Sequence, residues 1–153
     1  MVSRSKRSPG RLDALRLASE RGVVEGRVDA HALLRVADLL SEGPAAIVWR
    51  IEGTTDGSGR PALRITLKGA VTLECQRCLG DFEWPIDHAT DVLLARDDAE
   101  LAALDADSSL EVVLAAGPID PLTLVEDEFV LAIPFAPRHP EGACDSTMTN
   151  RRR

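Results

Sequence analysis

The chain has 153 residues, 44% of them hydrophobic and 3% aromatic, and its net charge is −7. This length suits one domain with a core of its own, and the acidic balance argues against a protein that coats nucleic acid through general phosphate attraction. Three cysteines exclude a complete disulfide framework, and no apolar run is long enough to span a membrane or follows the basic N-terminus as in a secretory signal. We therefore expect a soluble cytoplasmic protein.

Charge is distributed unevenly along the chain. Basic residues crowd both ends, so we expect residues 1–20 to form a basic, partly disordered segment and residues 146–153 to form a disordered basic tail. Between them, 21–145 is predicted to be a single domain. Acidic residues gather near 97–109, where a loop or a short helix is expected.

The first half of the chain predicts a strand, a helix and a hairpin. Residues 22–28 are typical of a short strand, and 29–43 predict a helix capped by Asp29. Apolar residues then alternate over 45–53 and again over 62–75, on either side of a segment rich in turn residues. This pattern predicts an antiparallel β-hairpin.

The second half predicts more strands and a closing helix. Alternation over 82–86 and the apolar run in 89–96 indicate two strand segments, and 110–115 indicates another. Residues 119–137 predict a helix. The sequence therefore predicts an α+β domain, in which antiparallel strands pack with an N-terminal and a C-terminal helix.

The closing helix has a clear start and two apolar sides. Asp120 is placed to cap it, and Pro121 follows at a position where a missing N–H costs nothing. At about 100° per residue, one side gathers four apolar residues and the opposite side two. The first set is Leu122, Val125, Phe129 and Ile133, and the second is Leu124 and Leu131.

Two cysteines, Cys75 and Cys78, lie in the stretch "VTLECQRCLG". A redox pair needs a strand-to-helix junction, where the helix N-terminus lowers the thiol pKa, but turn and strand residues follow here. With His139 and Cys144 the pair offers the four ligands of a tetrahedral zinc site. Such a site has no open position, so its zinc would be structural. Two unliganded thiols are the remaining alternative.

Three carboxylates, Glu126, Asp127 and Glu128, follow one another on the closing helix. Consecutive helical residues point about 100° apart, so they do not converge as a general acid and base. A solvated flank or a partner contact is expected instead, with Glu126 nearest the apolar side and able to pair inside the fold. His31 and His88 belong to no recognisable catalytic set.

Two segments, "VTLECQRCLGDF" and "LVEDEFVLAIPFAPRHPEGAC", together resemble the signature segments of the bacterial YceD family, the large ribosomal RNA subunit accumulation proteins. The resemblance implies a non-enzymatic role in making the large ribosomal subunit, with members needed for normal levels of its 23S rRNA. The residues that carry it are Cys75, Arg77, Cys78, Glu126, Asp127, Glu128, Pro137, His139 and Cys144.

Such a role leaves two ways to bind. A local basic patch of Arg77 with Arg64, Lys68 and the basic tails could contact an rRNA precursor, or the acidic helix and loop could hold a basic large-subunit ribosomal protein. The composition favours the second, and we expect the partner contacts at Arg77 and at 126–128. The alternative function is a small zinc- or thiol-containing redox protein that uses the cysteine pair.

Overall fold

A five-stranded sheet forms the centre of the computed structural model, which describes residues 10–107, 109–134 and 136–139. The strands lie in chain order, and the first four are antiparallel neighbours, whereas the fifth runs parallel to the fourth. They are β1 (Val23–Asp29), β2 (Ala46–Thr55), β3 (Pro61–Glu74), β4 (Asp81–Ala95) and β5 (Val112–Leu114). The predicted α+β class is confirmed.

Short helices accompany the sheet. They are α1 (Ala14–Glu20), a 3-10 turn (Ala30–Ala32), α2 (Leu34–Ala37), α3 (Asp98–Asp105) and α4 (Pro121–Ala132). The helix at α3 agrees with the short helix expected near 97–109, and α4 begins with the Asp120 cap that the sequence predicts. Within the residues that the structure describes, no helix combines the length and apolar character needed to cross a membrane.

The core lies on one face of the sheet because apolar residues alternate along its strands. Ile47, Trp49 and Ile51 of β2 point to the same side as Ile65 and Leu67 of β3, and all five are buried. The residues between them face solvent or are only partly covered. The hydrophobic effect therefore fixes the strand register, because a shift by one residue would expose this row.

One long strand replaces the two segments predicted at 82–86 and 89–96. β4 is continuous over 15 residues and contains Pro85. The even-numbered residues of β4 form the backbone hydrogen bonds to β3, whereas the odd-numbered residues direct their N–H and C=O groups to the other edge of the strand. Pro85 is odd-numbered, so its missing N–H removes no hydrogen bond between β3 and β4.

The single helix predicted over 29–43 is wrong. Asp29 does cap a helical turn, since it accepts the His31 N–H at 2.9 Å, but that turn is a 3-10 turn of three residues. The chain is extended at Leu33, and α2 then adds only four residues. Ala30 in the 3-10 turn and Val36 in α2 are both fully buried.

Residues 1–20, expected to be partly disordered, contain the unpredicted helix α1. Asp13 caps it by accepting the Arg16 N–H at 3.1 Å, and Ala14 and Ala18 are buried. The helix backbone packs directly against Gly53, which any larger residue would prevent. Residues 1–9 and the predicted tail at 146–153 lie outside the described residues, and the domain limits 21–145 stay a prediction.

Candidate metal centre and buried polar cluster

A tight turn between β3 and β4 carries the two cysteines. The Leu79 N–H donates to the Cys75 carbonyl at 2.8 Å, and the Cys75 N–H donates to the Gly80 carbonyl at 2.9 Å. Leu79 has a φ of 62°, in the left-handed region that a chain adopts to reverse within so few residues. The turn thereby places both thiols on the same side, where they are buried.

Three of the four predicted zinc ligands come together at this turn. The ligand atoms of Cys75, Cys78 and His139 all lie within 4.8 Å of one another. Cys78 Sγ lies 3.6 Å from His139 Nδ1. A tetrahedral zinc ion with ordinary Zn–S and Zn–N bonds separates a sulfur from a nitrogen by about 3.6 Å, so the residues fit this ion. Cys144, the fourth predicted ligand, lies outside the described residues.

Two contacts hold His139 near the cysteines, although it is 61 residues away from Cys78. The Gln76 N–H donates to the Pro137 carbonyl at 2.8 Å, which fastens the segment after α4 to the turn. The His139 ring packs on Phe82 with their centroids 4.6 Å apart. Pro137 and His139 are thus positioned by the cysteine turn and by β4.

The surroundings of Cys75 favour its thiolate. Burial by itself raises the pKa of this thiol, but N–H donors from Cys78, His139 and Arg77 and the His139 side chain outweigh it and lower the pKa from 9.0 to about 5. The Arg77 N–H lies 3.4 Å from Cys75 Sγ. Metals bind the thiolate, so this is the chemistry that a zinc ligand needs. No helix starts at the turn, because β4 follows it, which argues against a thioredoxin-like pair.

The first two carboxylates of the acidic run 126–128 bind inside the fold. Glu126 Oε2 accepts the backbone N–H of Arg35 at 2.6 Å, and Asp127 pairs with the Arg35 guanidinium. Both contacts fasten α2 to α4. The prediction that Glu126 pairs within the fold is therefore confirmed. Its partner lies in the first turn of α2, a helix that has no side-chain N-cap.

We expect Glu126→Ala to lower the free energy of unfolding by about 1 kcal/mol, because the Arg35 N–H loses an acceptor that acts as a helix cap. Urea unfolding of both proteins measures the difference. Glu126→Gln is the matched control, since its amide oxygen can still accept and most of the stability should return. Equal losses in the two variants would contradict this role.

The third carboxylate, Glu128, belongs to a buried polar cluster. It is only 2% exposed, and its Oε1 lies 3.0 Å from His88 Nε2 on β4. Glu111 shares a hydrogen bond with Glu128 and accepts the Thr90 hydroxyl at 3.4 Å. A buried carboxylate needs such partners. In this fold Glu128 presents no surface to a partner, which counts against its predicted partner-binding role.

This cluster makes stability depend on pH. The hydrogen bond to Glu128, burial and the Glu128 charge raise the pKa of Glu111 from 4.5 to about 7, against smaller effects of Thr90 and His88. Between pH 4.5 and about 7, Glu111 keeps its proton in the folded chain but releases it in the unfolded chain. The stability that the protonated Glu111 contributes is therefore lost as the pH rises through this range. Glu111→Gln, which mimics the protonated form, should flatten the fall in unfolding free energy between about pH 5 and 7.5. Parallel pH profiles would contradict the assignment.

The sequence contained a signal for Glu128 that the prediction missed. The buried positions of α4 follow the i, i+3, i+4, i+7, i+8 spacing of one helix face. They are Pro121, Leu124, Val125, Glu128 and Phe129. A carboxylate within this stripe indicates a buried polar contact. Of the two leucines predicted to lie opposite Leu122 and Phe129, Leu124 is buried, whereas Leu131 is 64% exposed.

The predicted basic patch is only partly available. Arg77 is exposed on the cysteine turn, and Lys68 is exposed on β3. Arg64, however, forms a two-pronged ion pair with Asp91, with nitrogen–oxygen distances of 2.8 and 3.1 Å. Such a bidentate pair neutralises the cation and fixes its geometry. The structure therefore leaves two of the three predicted cations without an ion pair to another described residue.

Residues 63–152 match the family model described as "Large ribosomal RNA subunit accumulation protein YceD". The match covers more than half of the chain. It includes the cysteine turn, His139 and the acidic run of α4, so the residues that build the two clusters fall within it. No solved structure matches the chain.

Proposed function

Because the chain belongs to the YceD family, whose role lies in the accumulation of the large ribosomal RNA subunit, we propose that it is a non-enzymatic, cytoplasmic assembly factor that holds a basic ribosomal protein. The observation that carries the role is the family match. The observation that supports a protein partner is the net charge of −7, since a cationic protein surface is attracted where phosphate is repelled.

The exposed charges of the described residues support a protein partner over RNA. Arg35, Arg50 and Arg64 all pair with carboxylates of the same chain. Several exposed carboxylates, in contrast, form no ion pair with another described residue. They are Asp38, Glu42, Glu74, Asp81, Glu83, Asp87, Asp98 and Asp105. Arg21, Arg27, Lys68, Arg77 and Arg138 are also exposed without an ion pair to another described residue, but these carboxylates outnumber them. The described surface therefore carries an excess of anions that a cationic partner could use.

We also propose that Cys75, Cys78 and His139, with Cys144, hold a structural zinc ion. The two buried thiols, the imidazole and the 3.6 Å sulfur–nitrogen separation support this assignment. The ion would supply folding free energy by tying the chain after α4 to the β3–β4 turn. Arg77, exposed between the cysteines, would then stand on a rigid support and be available for contact.

Sedimentation tests the proposed role. The tagged chain, expressed in its own cell type, should travel with large-subunit precursors in a sucrose gradient, and deleting the gene should lower the ratio of large to small subunits. A strain with a normal subunit ratio and a protein found only at the top of the gradient would overturn the proposal.

A further inference from the structure

Most of β4 has an open edge in the described sheet. β5 pairs with β4 only at Leu93–Ala95, and no described strand lies beside 81–91 on that side. The Leu93 N–H donates to the Glu111 carbonyl on this side at 2.8 Å. Because backbone direction alternates along a strand, the odd-numbered residues down to Asp81 turn their N–H and C=O groups to the same open side, except that Pro85 offers only its C=O. The edge is therefore a row of hydrogen-bonding groups that a further strand could use.

The side chains along this edge differ between the two faces of the sheet. On the solvent face, Asp81, Glu83 and Asp87 are exposed, and none forms an ion pair with another described residue. On the core face, Phe82 and Trp84 are half-buried and meet edge to face, with ring centroids 6.2 Å apart. An added strand would therefore meet carboxylates with one set of its alternate side chains and aromatic rings with the other.

Acidic side chains and Pro85 on an open edge also discourage pairing between copies of the chain. Asp81 also lies directly opposite the exposed Glu74 on β3, where two like charges destabilise the strand pair. Protection against pairing between copies does not by itself account for this cost. The same charges attract a cationic strand while they repel another copy. The charges along this edge therefore favour a positively charged strand over a negatively charged one.

We propose that the open edge of β4 binds an extended segment of a basic protein as an added strand, with cationic side chains alternating with apolar ones. The cations face Asp81, Glu83 and Asp87, and the apolar residues pack beside Phe82 and Trp84. Backbone hydrogen bonds supply affinity and the alternation supplies specificity. The inference rests on the proposed function, because a basic ribosomal protein is the partner that would carry such a segment.

The test uses a labelled peptide of about ten residues in which arginine and valine alternate, titrated against the full chain by fluorescence anisotropy. The combined variant D81N/E83Q/D87N should bind it about tenfold more weakly at low salt. The matched variant E42Q/D98N/D105N removes the same charge elsewhere and should bind as the unchanged chain does. Two further peptides carry N-methyl groups on one or the other set of alternate residues. One of them should lose binding, because the backbone edge that faces β4 can then no longer donate hydrogen bonds.

Equal binding by the two combined variants, or undiminished binding of both N-methylated peptides, would overturn the proposal. So would a tenfold gain in peptide affinity on replacing Arg151, Arg152 and Arg153 by serine, since the chain's own cations would then be the occupant. The proposal would also be overturned if a single-stranded RNA bound the unchanged chain and E42Q/D98N/D105N but not D81N/E83Q/D87N. If the peptide result fails while the chain still travels with subunit precursors, the proposed function stands without this inference.

Discussion

Removing the proposed zinc ion with a chelator should lower the free energy of unfolding by about 4 kcal/mol when the metal had been present at a thousand times its Kd. The reason is geometric: Cys75 and Cys78 lie on one turn and His139 on a segment 61 residues further along, so one ion joins two parts of the fold. Thermal unfolding with and without chelator, together with elemental analysis of the purified chain, measures the effect.

Three variants make this test specific. Cys78→Ser should abolish the response to chelator, because the remaining donors bind the ion poorly, and Cys144→Ser should weaken it if that residue completes the set. Arg77→Ala is the control: it changes the same turn without removing a donor atom, so its metal content and chelator response should match those of the unchanged chain. A metal-free chain with an unaltered melting temperature would contradict the assignment.

Gly53→Ala should destabilise the chain by about 3 kcal/mol, because it forces a Cβ into the backbone of a neighbouring helix. A Cβ at this position would collide with the Leu17 carbonyl and lie 2.7 Å from Ala18 Cα, and both obstacles are backbone of α1. Either α1 must move off β2 or the strand must shift. Urea unfolding measures the loss, and hydrogen exchange in α1 should rise with it.

Gly57→Ala provides the matched control, because no atom lies within 4 Å of a Cβ built there. Its unfolding free energy should stay within about 0.5 kcal/mol of the original. If Gly53→Ala were equally harmless, α1 would not pack on β2 as the structure has it.

Local patterns were sufficient to predict the strands and the closing helix. Alternation marked β2 and β3, whose inner residues are buried in register, and the Asp120–Pro121 start of α4 was confirmed. The helix predicted over 29–43 was wrong because the chain is extended at Leu33, between the 3-10 turn and α2, and no Gly or Pro marks this break in the sequence. α1 was missed because its few buried residues are alanines, which give a weak hydrophobic period.

The candidate site also combines features that local sequence patterns predict with contacts that depend on tertiary packing. Sequence spacing identified Cys75, Cys78 and His139, because soft ligands in two short groups are a local signal, and the structure brings these three together. It did not join His88 to Glu128 or Glu111, since each lies on a different element and no spacing relates them. A solvated flank or a partner contact was expected for most of the acidic run. In the structure Glu126 accepts a backbone N–H of α2, Asp127 pairs with the Arg35 guanidinium and Glu128 lies in the buried cluster.

Crosslinking in cells, followed by identification of the bound proteins and sequencing of the bound RNA, tests the central claim most directly. The account predicts that the main crosslinked product is a basic protein of the large subunit, found on subunit precursors. It also predicts that D81N/E83Q/D87N reduces this product while E42Q/D98N/D105N does not. Crosslinks to 23S rRNA precursor alone would contradict the protein-holding claim, and crosslinks to no ribosomal component would contradict the account as a whole.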